Sequence, residues 1–367
     1  MAALGCLVLT GCGGGYHPAG PFHDVPQGQP PQVAPPSQSG PVPAPGAPST
    51  PGTEEPQAGD PNVVATGLTV PTGLVVLPDG SAVVGERDSG RLLQVFPDRS
   101  PARELMTLPV DSGGDGGLLG LAISPTFAQD GLLYAYVSTA TDNRVVRFPL
   151  GGTPNPVLTG IPRGEVDNGG GLLFGTDGTL YVGTGDTGNA ALAEDPVSLA
   201  GKVLAVDVFG QPVGAGPVLS RGHRDVTALC QSGQQLYATD EALAGPDAFE
   251  AVSPGGDAGP TGTPPVIEVP GDDGGLGGCA VSGPYVFLGA MDGRQVQVTE
   301  LNGSGAPVGD PVPFLADRYG RLRTVVLDTE GALWITTSNR DGLGAPEEDD
   351  DRVLRVLPPE SGTGSPL

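Results

Sequence analysis

The sequence predicts an all-β protein, a six-bladed β-propeller preceded by a Pro/Gly-rich N-terminal tether that we expect to be disordered. Two observations predict this fold. A unit of two apolar, β-prone runs joined by a turn occurs six times, with starts roughly 45 to 57 residues apart. Helical periodicity is absent throughout. A repeat of this length with about four strands describes one propeller blade, so six repeats predict six blades.

The six units occupy residues 72–87, 117–138, 170–186, 226–241, 276–293 and 322–342. Two β-prone runs joined by a tight Gly-containing turn indicate a hairpin. A third strand follows most units, as in GRLLQVFP, and a fourth is plausible between units, as in ARELMTLPV. The fourth unit departs from this pattern, because GPDAFEAVSP makes a weak third strand. A β-sandwich whose repeats are accidental is the alternative.

Composition divides the chain of 367 residues into four parts. Residues 1–12 form a leader, and residues 13–61 are a Pro/Gly/Ser/Gln tract. Such a tract cannot bury enough apolar surface to fold, and its prolines keep it extended. Residues 62–359 carry most of the large apolar residues and form the propeller, and residues 360–367 are a flexible tail.

The leader resembles a bacterial lipoprotein signal. A short apolar run precedes Leu9-Thr10-Gly11-Cys12, which looks like a lipobox with Cys12 as the lipid-modified residue. Diacylation would hold the protein on the extracytoplasmic face of the cell membrane while the propeller stays in water. The alternative is a cytosolic N-terminus that contains a cysteine by chance.

Net charge and cysteines restrict the partners and the compartment. A formal net charge of −25 repels phosphate backbones, so we expect no nucleic-acid partner. Cys230 and Cys279 occupy corresponding points on the first strands of units four and five. In an exported protein an isolated pair favours a disulfide over a metal site, so we predict a bond between them.

Five motifs stand in a fixed order along the propeller. They are LPDGSAVVGERDSGRLLQV, GGLLGLAISPTFAQDGLLYAYVS, NGGGLLFGTDGTLYVGTGD, RGHRDVTAL and YGRLRTVVLDTEGALWITTSNRDG. With these motifs the chain resembles the soluble quinoprotein glucose/sorbosone dehydrogenases, the PQQ-dependent aldose sugar dehydrogenases, over roughly residues 62–358. The resemblance implies oxidation of the anomeric carbon of a sugar by hydride transfer to PQQ.

In that family PQQ lies over the central channel, where cations hold its three carboxylates and calcium assists. Arg224, Arg321 and Arg323 match family arginines. Arg321 and Arg323 stand at alternate positions of a strand and should point to one face. Guanidinium groups suit this task because their donors match the two oxygens of a carboxylate.

Several positions differ from the family pattern, and most of the differences add negative charge or remove a cation. Asp167 stands where the family has its catalytic histidine, and Gly171 stands where the same motif has an arginine. Asp292 replaces a usual lysine, Asp225 a usual amide, and Asp115 a usual Glu or Gln. A carboxylate can act as a general base, so Asp167 is the candidate catalytic residue. Asp115 and Asp292 join the arginines as candidate cofactor-binding residues.

The family's calcium-binding stretch corresponds to DEALAGPDAFEAV here. Its acidic residues Glu241, Asp247 and Glu250 are the candidate calcium ligands. His223, the one histidine of the propeller, is interpreted as a structural hydrogen-bonding residue.

Two hypotheses follow. The first is a membrane-anchored PQQ-dependent aldose dehydrogenase. The second is a catalytically degenerate propeller that binds a glycan, a cation or a protein without chemistry. A propeller hydrolase is a weaker third option, because the chain has no GxSxG-type or HExxH-type motif.

Overall fold

The computed structural model describes residues 59–359, and their strands form six separate sheets around one channel. β1 (Val63–Ala65) comes first. Blade one contains β2 (Pro71–Val76), β3 (Ala82–Glu86), β4 (Arg91–Val95) and β5 (Arg103–Thr107). Blade two contains β6 (Leu118–Ile123), β7 (Leu132–Ser138), β8 (Asn143–Pro149) and β9 (Asn155–Ile161), with the short helix α1 (Phe127–Asp130) between β6 and β7. The six-bladed propeller predicted from the repeats is confirmed.

Blades three and four follow the same plan. Blade three contains β10 (Gly169–Phe174), β11 (Leu180–Thr184), β12 (Lys202–Val206) and β13 (Val218–Arg221), with α2 (Ala190–Glu194) between β11 and β12. Blade four contains β14 (Asp225–Ser232), β15 (Gln235–Glu241), β16 (Asp247–Val252) and, later in the chain, β18 (Ile267–Val269). The intervening β17 (Gly256–Asp257) pairs in parallel with β13 and extends blade three.

Blades five and six complete the ring. Blade five contains β19 (Leu276–Ser282), β20 (Tyr285–Ala290), β21 (Gln295–Leu301) and β22 (Pro307–Phe314), after a 3₁₀ turn at Gly271–Asp273. Blade six contains β23 (Leu322–Leu327), β24 (Leu333–Thr337) and β25 (Val353–Val356). None of the described helices is long and apolar enough to cross a membrane.

The first strand of the domain supplies the missing fourth strand of the last blade. β1 pairs antiparallel with β25, with Val63 opposite Leu354. Backbone bonds of 3.1 Å and 3.0 Å between Leu68 and Asp351 continue this contact. The two ends of the propeller therefore close the ring by hydrogen bonding, a pairing that the repeat pattern left unassigned.

The innermost strands β2, β6, β10, β14, β19 and β23 pack side by side around the channel. Glycines permit this close approach. A Cβ at Gly120 in β6 would lie 2.0 Å from the carbonyl oxygen of Gly170 in β10. Any larger residue would push the two strands apart, because no side chain fits where two backbones meet.

The weak third strand of the fourth unit is regular in the structure. β16 pairs with β15 over five residues, and its Phe249 ring stacks on Tyr237 with centroids 4.9 Å apart. Phe249 is fully buried. Burial of this one aromatic side chain compensates for the poor β propensity of its neighbours.

The predicted disulfide is present. Cys230 on β14 and Cys279 on β19 are bonded, with their Cα atoms 5.8 Å apart. Both cysteines are buried and pack in the apolar cluster between blades four and five. The bond therefore joins two neighbouring blades through their innermost strands.

Candidate active site

Charged residues collect where the innermost strands begin, at one mouth of the channel. Asp167 precedes β10, and Arg224 directly precedes β14, which begins at Asp225. Arg321 directly precedes β23, and Arg323 is the second residue of that strand. The innermost strands of a propeller start at the same end of the channel, so these side chains are brought to one place.

Asp167 is buried at this mouth in a left-handed conformation. Its φ is +53°, the residue is 8% exposed, and among the described residues no donor is hydrogen-bonded to its carboxylate. The backbone holds it in place, since its carbonyl accepts a 3.0 Å bond from the Thr187 N–H. Burial, with the negative charges of Asp186 and Asp115 nearby, raises the pKa of Asp167 to about 6. Arg224 opposes this shift.

Two carboxylates fix the backbone around Asp167. Asp225 Oδ1 accepts a 2.6 Å hydrogen bond from the Gly169 N–H, two residues after Asp167. Asp240 Oδ1 in turn accepts bonds of 2.6 Å and 3.0 Å from the N–H groups of Asp225 and Arg224. Burial raises the pKa of Asp225 well above its ordinary value. Asp225, where the family has an amide, therefore holds blade three against blade four.

Arg224 and Arg323 present unused donors to the mouth. In the described part of the chain, the Arg224 guanidinium donates only to the Pro246 carbonyl at 3.0 Å. Arg323 has one contact of its guanidinium within residues 59–359, with Met291 Sδ at 3.6 Å. Burial lowers the pKa of Arg323, and the charge of Glu241 counteracts that effect. Two guanidinium groups are thus available for an anionic ligand.

Arg321, by contrast, is occupied by the protein itself. Its Nη1 lies 2.5 Å from Asp292 Oδ1 and its Nε lies 2.8 Å from Asp341 Oδ2. Its backbone N–H donates to Asn339 Oδ1 at 2.8 Å. Arg321 and Asp292, predicted as separate cofactor ligands, form an ion pair with each other. Asp115 is at the edge of the site, where it is exposed and acts on Asp167 through its charge.

The structure does not bring the three predicted calcium ligands together. Asp247 accepts hydrogen bonds from the N–H groups of Ala242 and Leu276, at 2.8 Å and 3.0 Å. Glu250 Oε2 lies 2.9 Å from His223 Nδ1. Glu241 lies near Arg323, and burial, only partly offset by that arginine, raises its pKa to about 7. The family resemblance predicted them together as one calcium-binding stretch, but on the β15–β16 hairpin their side chains contact different neighbours.

His223 is buried among polar side chains. Its ring is 2% exposed, and Nε2 contacts Ser220 Oγ at 2.7 Å. Burial by itself would lower its pKa, but Asp240 and Glu250 outweigh burial and raise the pKa to about 9.

Four charged residues of the site were not predicted from the sequence. Asp186 and Asp240 act on Asp167 through their charge, Arg87 acts on Arg323, and Asp341 binds Arg321. All four lie within or directly beside the quoted repeats. Each lies near the end of the second strand of its unit or just after it, so the end of that strand was the signal that could have revealed them.

A polar cavity of about 610 Å³ adjoins Arg321 and Asp292. Tyr319, Asn339 and Arg318 also line it. This volume accommodates a small polar molecule, and the lining offers both donors and acceptors.

The fold and this site define a class of protein: a six-bladed propeller whose channel mouth combines free guanidinium groups with a buried, unengaged carboxylate. The chain belongs to the glucose/sorbosone dehydrogenase family, since the family model described as "Glucose / Sorbosone dehydrogenase" matches residues 68–263. It is similar to the PQQ-bound aldose sugar dehydrogenase of Streptomyces coelicolor, with 37% identity and a TM-score of 0.77. That similarity covers 80% of this chain and 96% of the other.

Two further relatives agree. A putative oxidoreductase (glucose dehydrogenase) of Thermus thermophilus is 32% identical, with a TM-score of 0.74. The similarity covers 80% of this chain and 98% of the Thermus chain. Quinoprotein glucose dehydrogenase B of Acinetobacter calcoaceticus is 28% identical over 155 residues, which are 36% of this chain and 32% of that relative. The matched region therefore spans about a third of the length of this curated relative.

Proposed function

We propose that the protein is a PQQ-dependent aldose dehydrogenase in which Asp167 takes the proton from the anomeric hydroxyl of the sugar. The observation that carries the proposal is the state of Asp167. Its carboxylate is buried at the channel mouth, receives no hydrogen bond within residues 59–359, and has a pKa of about 6. A base with a pKa near the working pH is ionised and still accepts a proton readily.

The free guanidinium groups fit a cofactor with three carboxylates. Arg224 and Arg323 would hold it, because their donors are largely unused and bidentate pairing suits planar guanidinium groups. PQQ, when bound, supplies the acceptor for the hydride. Arg321 would contribute less, because Asp292 and Asp341 already neutralise it.

The remaining steps belong to the chain itself. The sugar hydroxyl donates its proton to a carboxylate oxygen of Asp167. The Asp225–Gly169 bond keeps the backbone beside Asp167 in place during this transfer. The nearby Arg224 charge favours the ionised form of Asp167 before the reaction. Burial keeps competing water away from the carboxylate, which strengthens both interactions.

Calcium is proposed as the assisting cation. Of the three predicted ligands, Glu241 is the one that faces the arginines of the mouth without capping a backbone N–H in the described chain. Carboxylate oxygens are the ligands that calcium prefers. Glu241 is therefore the remaining candidate.

We also propose attachment to the extracytoplasmic face of the cell membrane through Cys12, which lies outside the described residues. The Cys230–Cys279 disulfide supports export, because such bonds persist in oxidising compartments. Radiolabelled palmitate incorporation tests this. Incorporation into wild type and Cys6→Ser, but not Cys12→Ser, is expected; equal labelling of Cys12→Ser contradicts the anchor.

Reconstitution tests the enzymatic proposal. Purified protein is titrated with PQQ and calcium, and dye reduction is followed with several aldoses. Asp167→Asn should bind PQQ but lose turnover by roughly 100-fold or more, in the range of general-base effects. Glu165→Gln removes an exposed carboxylate two residues away and should match wild type. Failure to bind PQQ at micromolar concentration rejects the proposal.

The second candidate is a propeller that binds a glycan without oxidising it. The Arg321–Asp292 pair favours it, because one cation of the expected clamp is neutralised. Glycan binding by calorimetry in protein that neither binds PQQ nor reduces dye would support this candidate.

A further inference from the structure

A second cluster of charged side chains is buried in blade four and at the turn that leads into it. One ligand atom from each of His223, Asp240 and Glu250 lies within 4.8 Å of the other two. Their side chains are only 2%, 3% and 9% exposed, in that order. A nitrogen and two carboxylates so close together match the donors that Zn²⁺ prefers.

The contacts of His223 point to a missing partner. Its Nε2 is engaged by Ser220 Oγ, which leaves Nδ1 facing the two carboxylates. Nδ1 lies 2.9 Å from Glu250 Oε2 and 3.6 Å from Asp240 Oδ2. The 2.9 Å separation is that of an ion pair when His223 is protonated. Within the described residues neither Nδ1 nor Glu250 Oε2 has a hydrogen-bond partner.

Two buried polar atoms in contact without a hydrogen bond are costly, and native proteins rarely keep them so. Two ligands of one tetrahedral zinc ion, each about 2.1 Å from the metal, lie roughly 3.4 Å apart and need no N–H direction between them. His223 Nδ1 and Glu250 Oε2 are 2.9 Å apart, so a small rotation of either side chain would admit the ion.

Charge and space agree with this interpretation. Zinc would displace the proton that the two carboxylates hold on His223, and the two negative charges that remain are balanced by a divalent cation. A cavity of about 20 Å³ adjoins His223, Glu250 and Ser220. This is room for one water molecule, which could complete a four-coordinate shell.

We propose that the protein binds one Zn²⁺ through His223 Nδ1 and the carboxylates of Asp240 and Glu250. Asp240 Oδ1 accepts the N–H groups of Arg224 and Asp225. The ion would therefore fix the start of β14 and, through it, the channel mouth. Its role is structural support, separate from PQQ and calcium.

Zinc content tests the proposal on the full chain. The protein is loaded with Zn²⁺, dialysed against a weak chelator and analysed by mass spectrometry for metal. Wild type should retain about one zinc per chain, and zinc should raise its Tm by roughly 5 °C. Glu250→Gln and His223→Gln should lose the retained zinc and the Tm shift. Asp257→Asn, which removes another carboxylate lining the same cavity, should behave as wild type.

Three results would overturn the site. Wild type could retain no zinc, which would leave an imidazolium–carboxylate pair. Glu250→Gln could retain as much zinc as wild type, which would place the metal elsewhere, for example on the cysteines of the leader and the histidines of the tract that follows it. If the variants do not fold, anomalous diffraction is measured at the zinc absorption edge from crystals of zinc-loaded wild type. That measurement then decides whether the ion occupies this site. An anomalous peak beside His223 Nδ1 supports the site, and its absence rejects it.

Discussion

The carboxylate of Asp225 accepts a 2.6 Å hydrogen bond from the backbone N–H of Gly169, across the boundary between blades three and four. This bond sets the position of the strand start that carries Asp167. It also places a fourth carboxylate near Asp167, Asp186 and Asp240, although the family has an amide at this position.

Two substitutions of Asp225 distinguish the effect of its hydrogen bond on stability from the effect of its charge. Asp225→Asn keeps an oxygen that accepts from Gly169, so its free energy of unfolding should stay close to that of wild type. Asp225→Ala leaves the buried N–H without a partner and should cost about 1–3 kcal/mol. Urea unfolding of both variants measures the difference. Equal losses in the two variants would show that the hydrogen bond contributes nothing.

Turnover should depend on the ionisation of Asp167. Its pKa of about 6 means that the base is protonated below that pH and ionised above it. The value of kcat/KM for an aldose should therefore rise with pH and level off above about pH 7, one pH unit above this pKa. The measurement is dye reduction from pH 4.5 to 8.5. A rate that is flat across pH 6 would exclude Asp167 as the base.

Because its pKa is raised, Asp167 in its ionised form lowers the free energy of unfolding. The folded state binds this proton more tightly than the unfolded state, whose pKa is near 3.8. By the proton linkage relation, the contribution of Asp167 to the free energy of unfolding therefore falls as pH rises from about 4 through about 6. At pH 7 Asp167→Asn should be more stable than wild type by on the order of 2 kcal/mol, and at pH 4 the two should be similar.

A stability difference between Asp167→Asn and wild type that stayed the same at pH 4 and pH 7 would contradict this. Glu165→Gln is the matched control for both pH experiments, because Glu165 is exposed and lies two residues from Asp167.

Release of Arg321 should strengthen cofactor binding. Asp292→Asn removes the carboxylate that lies 2.5 Å from Arg321 and leaves Asp341 as its one ion-pair partner within the described chain. We expect PQQ to bind about tenfold more tightly, equal to about 1.4 kcal/mol. Fluorescence titration measures the Kd. Asp317→Asn, which removes a carboxylate paired with Arg294 in the same cavity, should leave it unchanged. An unchanged Kd for Asp292→Asn would show that Arg321 does not reach the ligand.

The disulfide should stabilise the propeller by limiting the unfolded chain. Cys230 and Cys279 are 49 residues apart, and a loop of that length corresponds to about 4 kcal/mol in the chain-entropy relation. The Cys230→Ala/Cys279→Ala double variant should have a lower Tm than wild type. Reductant should lower the Tm of wild type and have no effect on the double variant. Equal Tm values for the two proteins would contradict a stabilising role.

Much of the fold could be predicted because a propeller repeats one local pattern. Each hairpin is encoded by its own strands and turn, so six copies predicted six blades, and corresponding positions predicted the Cys230–Cys279 bond. The pairing of β1 with β25, which closes the ring, was not predictable in this way. β1 joins β25 through contacts between the two ends of the domain, and no local pattern contains both strands.

The sequence by itself determined the propeller, its family and the residue at the position of the catalytic histidine, because these depend on the identity and order of residues. Only the tertiary structure decided how the charges pair. It showed that Asp292 and Asp341 neutralise Arg321, that Arg224 and Arg323 stay available, and that Glu250 belongs with His223 rather than with Glu241. Pairing depends on distances of a few ångströms between residues far apart in the chain, since the strength of a charge interaction falls with separation and rises with burial.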